Sequence, residues 1–143
     1  MTPSRIWEWM SSPREAIYFW IALGSGLGGV ARLWCANMAP RVFGEALPWG
    51  ILLVNIVGSF AIGLFFTLTG PEGRLRVSTT ARQFVMTGLC GGYTTFSAFS
   101  LDTMGLVRDG RALAAGANVF LSVALCIGAA WLGHAVAVRL SRR

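Results

Sequence analysis
GLCGGYTTFSAFS, residues 88–100, lies inside an uncharged apolar run, and the rest of the chain is read outward from it. Its thirteen residues hold three glycines, two threonines, two serines and two phenylalanines, where an ordinary membrane span carries leucine and valine. Backbone in lipid must satisfy its own polar groups. A glycine- and hydroxyl-rich interruption is therefore tolerated only where protein buries it or where it lines a wet cavity. The stretch is expected to be a functional site. Gly91 and Gly92, followed by Tyr93, Thr94 and Thr95, mark the expected break in the helix. Unwound backbone there frees carbonyl oxygens that a buried hard cation could collect, and a kink filled by a neighbouring helix or by water is the plainer alternative. If helix resumes by Ser97, then Ser97 and Ser100 share one face, with Phe96 and Phe99 on an adjacent one.

The charges define the surroundings. Of 143 residues, 55% are hydrophobic and only 13% charged, which is not the composition of a soluble domain. Residues 46–71, 83–101 and 112–138 contain no Asp, Glu, Lys or Arg, and each run is long enough for a spanning helix of about 20 residues. A fourth run, 16–38, is interrupted only by Arg32. The fold expected is an all-α membrane protein with four transmembrane helices, the third broken near its middle. It forms a single domain over 1–143, with spans at approximately 16–38, 46–70, 83–104 and 112–138. The apolar run begins only at Ala16, after Glu8 and Glu15, and leads into further spans, so a cleaved secretory signal is not expected. Residues 1–15, with Trp7 and Trp9, suit either a short helix at the headgroups or a frayed terminus.

Net charge is +6, and all twelve basic residues are Arg. They flank the spans and form no stripe interleaved with exposed aromatics, which argues against nucleic acid as a partner and for Arg as a topological anchor. With four spans, the termini and the 70–83 loop hold Arg5, Arg14, Arg74, Arg76, Arg82, Arg139, Arg142 and Arg143, and the opposite loops hold Arg41, Arg108 and Arg111. Eight against three predicts cytoplasmic termini by the positive-inside rule. Cys35, Cys90 and Cys126 are odd in number and far apart, and read as small buried hydrophobes.

Polar residues inside the spans are few. Gly24-Ser25-Gly26-Leu27-Gly28-Gly29 formally matches a dinucleotide fingerprint, but no soluble α/β unit surrounds it. Gly24 and Gly28 read instead as a small-residue step for close helix packing. Arg32 is expected near the interface or at a wet vestibule. Asn55 is the one strongly polar side chain in the second span; it can hold helices together or offer N–H donors to an anion. Asn118, Ser122 and Cys126 fall at i, i+4 and i+8, one polar line on an apolar helix. His134, near the far end, reads as structural. No span carries an acid in its middle, no hydrolase motif is present, and there is a single His, so neither an enzyme nor a proton-coupled transporter is indicated. The remaining inventory of hydroxyls, amides, ring edges and bare carbonyls suits a passive path for a small ion.

Three pieces, GGVARLW at 28–34, PWGILLVNIVGSFAIG at 48–63 and GLCGGYTTFSAFS at 88–100, resemble the Fluc (CrcB-type) fluoride channel family, over most of residues 16–138. The resemblance implies a fluoride-selective channel for passive fluoride export that limits cytoplasmic fluoride toxicity. It implies an integral, multi-pass protein of the bacterial inner membrane, surrounded by lipid and assembled as an antiparallel homodimer with a central sodium ion. By that resemblance the sodium is held by the backbone carbonyls of Gly91 and Thr94. The fluoride pathway then includes Asn55, Thr95, Phe96, Ser97, Phe99, Asn118 and Ser122, with Cys126 continuing the track. Asn118 and Cys126 depart from the Tyr or Ser common in the family at those positions. The antiparallel arrangement also conflicts with the eight-to-three Arg distribution. Two other readings compete: a small dual-topology multidrug transporter, which needs an embedded carboxylate, and a structural membrane protein in which Asn55 and the glycines only pack helices.

Overall fold
A computed structural model describes residues 13–44 and 46–142; of the expected headgroup segment at residues 1–15, residues 1–12 lie outside the described residues and 13–15 begin the first helix. The chain runs α1 (Pro13–Phe43), α2 (Trp49–Leu68), α3 (Thr79–Gln83), a π-helical segment (Phe84–Cys90), α4 (Gly91–Tyr93), α5 (Phe96–Arg108) and α6 (Ala112–Ser141). Every regular element among the described residues is a helix, and three of these, α1, α2 and α6, are long and apolar enough to cross a membrane.

Side-chain size is distributed as lipid dictates. Few residues are buried, and most of those are small or polar: Gly24, Gly28, Gly58, Ala115, Asn118, Ser122, Gly133 and Ala137. Trp20, Val30, Trp34, Phe120 and Trp131 point outward. Helices in lipid gain nothing from hiding leucine from a medium equally apolar, so small residues that let backbones approach occupy the interior.

α1 crosses the π segment and α4 through two matched glycine steps. A Cβ on Gly24 would stand 2.7 Å from the Phe84 carbonyl oxygen and 3.0 Å from Gly88 Cα, and one on Gly92 would stand 2.7 Å from Ser25 Cα. Gly24-x-x-x-Gly28 therefore meets Gly88-x-x-x-Gly92 backbone to backbone. On the other side of the bundle, α2 packs along α6.

The first span is expected to end near residue 38, yet α1 continues through Pro40 to Phe43. Proline removes one helical donor but leaves its own carbonyl available, and Gly44 N–H donates to Pro40 O at 2.9 Å to close the last turn. α5 ends in a left-handed turn at Gly110 (φ 73°). There Gly110 N–H reaches Val107 O at 3.0 Å and Arg111 N–H reaches Leu106 O at 2.9 Å, the paired bonds that satisfy a helix's last carbonyls.

Candidate functional site: the break at Thr94 and Thr95
α3, the π segment and α4 form one uninterrupted helical run, because Phe84, Cys90 and Gly91 all keep right-handed helical backbone at the junctions. The run stops at Thr94 (φ −83°, ψ 157°) and Thr95 (φ −155°, ψ 122°), both extended, and α5 begins at Phe96. The interruption is thus narrower than the glycines suggested. Gly91 and Gly92 remain helical, and Gly92 serves the crossing with α1.

Asn55 holds the extended segment. Thr95 N–H donates to Asn55 Oδ1 at 2.8 Å and Asn55 Nδ2 donates to Thr95 O at 3.0 Å. The Thr95 amide can only donate, so this pair fixes which way the Asn55 amide faces. One Nδ2 hydrogen is used and the other has no partner among the described residues. Thr95 Oγ1 accepts from Ala98 N–H at 3.2 Å, capping α5, and pairs with Ser97 Oγ at 3.1 Å.

These bonds release two carbonyls. In an unbroken helix Thr95 N–H would serve Gly91 O, and Ala98 N–H would serve Thr94 O. Here the first donates to Asn55 and the second to the Thr95 hydroxyl. The Gly91 and Thr94 carbonyls thereby lose their helical donors. Cys90 O, by contrast, accepts from both Thr94 N–H and Thr94 Oγ1, each at 2.9 Å.

A cleft of about 440 Å³ opens beside this break, and Asn55, Gly91, Thr94, Thr95, Phe96 and Phe99 line it together with Ser122 and Cys126. The Phe96 and Phe99 rings lie 5.3 Å apart at 46°. Phe99 is 9% exposed, but Phe96 is 78% exposed, so this chain alone leaves one side of the Phe96 ring uncovered. Ser122 Oγ is buried without a hydrogen-bond partner among the described residues. The cleft's described lining contains no acid and no base, and among the described residues no group of His, Cys, Asp and Glu gathers to hold a metal ion. Any cation here would have to be taken by neutral oxygens.

Two residues assigned to the pathway by resemblance do not line the cleft. Ser97 is exposed and bonds to Thr95. Asn118 is 1% exposed and its Nδ2 donates to Thr103 Oγ1 at 2.9 Å, while Thr103 donates to Phe99 O at 2.8 Å. Asn118 therefore acts on the Phe99 backbone through Thr103, a residue that the sequence reading did not single out. A threonine one turn after the second phenylalanine was the available signal.

Residues 19–134 match the family described as "CrcB-like protein, Camphor Resistance (CrcB)". The chain belongs to the CrcB-like family. Curated relatives in this family are named "Fluoride-specific ion channel FluC". The one from Methylocella silvestris is 53% identical over 87% of this chain and 95% of its own length. The Opitutus terrae relative is 54% identical over 88% and 96%, and that of Rhodospirillum rubrum 48% over 87% and 96%. Together with the long apolar helices, membership makes this CrcB-like chain an integral, multi-pass membrane protein. It is not an enzyme, since the relatives bear the name of an ion channel.

Proposed function
We propose that the protein is a fluoride-selective channel that lets fluoride leave the cytoplasm passively across the bacterial inner membrane and so limits its toxicity. The reading is carried by one coincidence: Asn55 and the Phe96–Phe99 pair meet at a cleft without acids, in a chain whose relatives are named fluoride-specific channels. Fluoride is small and strongly hydrated, so a path must replace water with donors. The spare Asn55 N–H and the Ser122 hydroxyl supply them. The edge of a phenyl ring is electropositive and can face an anion. Such contacts contribute on the order of 0.5 to 1 kcal/mol each, enough to guide an ion without trapping it.

A central sodium ion fits the oxygens present. Gly91 and Thr94 offer hard, neutral carbonyls without helical donors, and both lie on the cleft. When bound, the ion would supply fixed positive charge beside the anion path. Two oxygens do not enclose a cation, and a two-fold related copy would double the set. The same copy would cover Phe96. These features support an antiparallel homodimer of four-helix subunits, in which the segments from Thr79 to Arg108 together form the third, broken span. That arrangement requires insertion in both directions despite the Arg bias, whereas the bias alone favours one.

Phe96→Ile keeps apolar bulk and removes the ring edge. Fluoride efflux from reconstituted liposomes is expected to fall by about fivefold, the upper end of a ring-edge contact of roughly 0.5–1 kcal/mol. Unchanged efflux would remove the rings from the path.

A further inference from the structure
A second cleft, about 480 Å³, lies where the ends of α2, α3 and α6 meet, and Phe66, Thr67, Glu72, Arg82, His134 and Arg142 line it. We propose that it binds the phosphodiester headgroup of an anionic phospholipid. Two threonines build it. Thr67 Oγ1 donates to Gly63 O at 3.0 Å and Thr69 Oγ1 to Phe65 O at 2.7 Å, so each hydroxyl proton is committed to its own helix. Each oxygen can then only accept. Thr67 Oγ1 pairs with His134 Nδ1 at 2.8 Å, and Thr69 takes the Arg82 Nε proton at 3.2 Å. The Arg82 guanidinium also sits 5.1 Å over the Phe66 ring, which steadies it further. Among the described residues its two terminal nitrogens have no hydrogen-bond partner, which leaves for a ligand the planar fork that matches phosphate oxygens. Ser141 Oγ, in the same wall, is buried without a hydrogen-bond partner among the described residues.

Charge and position select the ligand. Among the described lining residues, Arg82 and Arg142 against Glu72 leave one surplus positive charge, which matches a phosphodiester monoanion better than free phosphate monoester at about −1.5 to −2. The cleft is at the ends of the apolar helices, on the side that holds eight of the twelve Arg. In one subunit of an antiparallel pair that side faces the cytoplasm, where basic pockets between spans take lipid headgroups. Phe66, 56% exposed beside the cleft, offers apolar surface to the start of an acyl chain.

The test is native mass spectrometry of the full-length protein released from mixed phosphatidylglycerol and phosphatidylcholine nanodiscs. Wild type is expected to retain phosphatidylglycerol preferentially, and Arg82→Gln to lose about fivefold of that preference, as for one interfacial Arg. Arg142→Gln provides a second variant should the first not fold. Thr69→Val keeps every charge but removes the acceptor that orients Arg82, and is expected to weaken retention as well. Equal retention of the two lipids by wild type, or preference unchanged in both Arg variants, overturns the proposal. So does displacement of retained phosphatidylglycerol by sn-glycerol 3-phosphate added to the mixed discs, which would assign the cleft to a soluble phosphate. Because the readout is lipid retention and not ion flux, failure here leaves the channel reading standing.

Discussion
Liposomes carrying Asn55→Asp are expected to release fluoride at least about a hundredfold more slowly than wild type. Two losses combine. The aspartate has no N–H to give Thr95 O, so an oxygen faces a carbonyl where Asn55 Nδ2 now donates at 3.0 Å. It also places negative charge on the wall of the cleft. At about 4 Å and an effective dielectric of 20, repulsion of a passing anion is roughly 4 kcal/mol, or about a thousandfold in rate; partial protonation of the aspartate reduces this. Asn55→Leu separates the contributions, since it removes the clamp without adding charge. Flux in Asn55→Asp within a few-fold of wild type would show that no anion passes Asn55.

The second large effect is on assembly. Gly92→Val is expected to cost about 3 kcal/mol or more, read as loss of monodisperse protein on size exclusion or a lowered thermal midpoint in detergent. Gly92 is helical, and a larger residue in a helix ordinarily gains up to about 1 kcal/mol over glycine. Here, however, the new Cβ would stand 2.7 Å from Ser25 Cα, backbone against backbone, where no rotamer change relieves the overlap. Gly105→Ala is the matched control, because a Cβ there meets nothing within 4 Å. It is expected to be neutral or mildly stabilising. Equal tolerance of both substitutions would contradict the crossing of α1 with α4.

What the sequence made legible follows from where physics is local. α2 and α6 announce themselves as long runs without charge, and the break in the helix after residue 93 announces itself by its concentration of hydroxyls. Its exact position did not, because Gly91 and Gly92 look like breakers until Ser25, far away in sequence, is seen to need Gly92's missing side chain. Gly88-x-x-x-Gly92 repeats the spacing of Gly24-x-x-x-Gly28, and that repetition was the readable signal. Asn55 was recognisable as costly in lipid. Its partner was not, since Thr95 is 40 residues distant and is engaged through its backbone, which carries no residue identity. Asn118 looked like part of a polar track along its own helix, whereas its hydrogen bond goes to Thr103 on the preceding one. His134 looked solitary for the same reason: Thr67 and Arg82, which make it part of a site, belong to other helices.

The two clefts differ in their polar chemistry. One, with no Asp, Glu, His, Lys or Arg in its described lining, suits an ion that must not be held; the other, with Arg82 and Arg142 in its wall, suits an anion that should stay. The assignment of the first is the central claim, and it turns on selectivity. The purified protein in liposomes loaded with equal fluoride and chloride, with each ion followed by its own electrode after addition of a potassium ionophore, tests this directly. Fluoride is expected to empty while chloride stays trapped; chloride leaving at a rate comparable to fluoride would contradict the account.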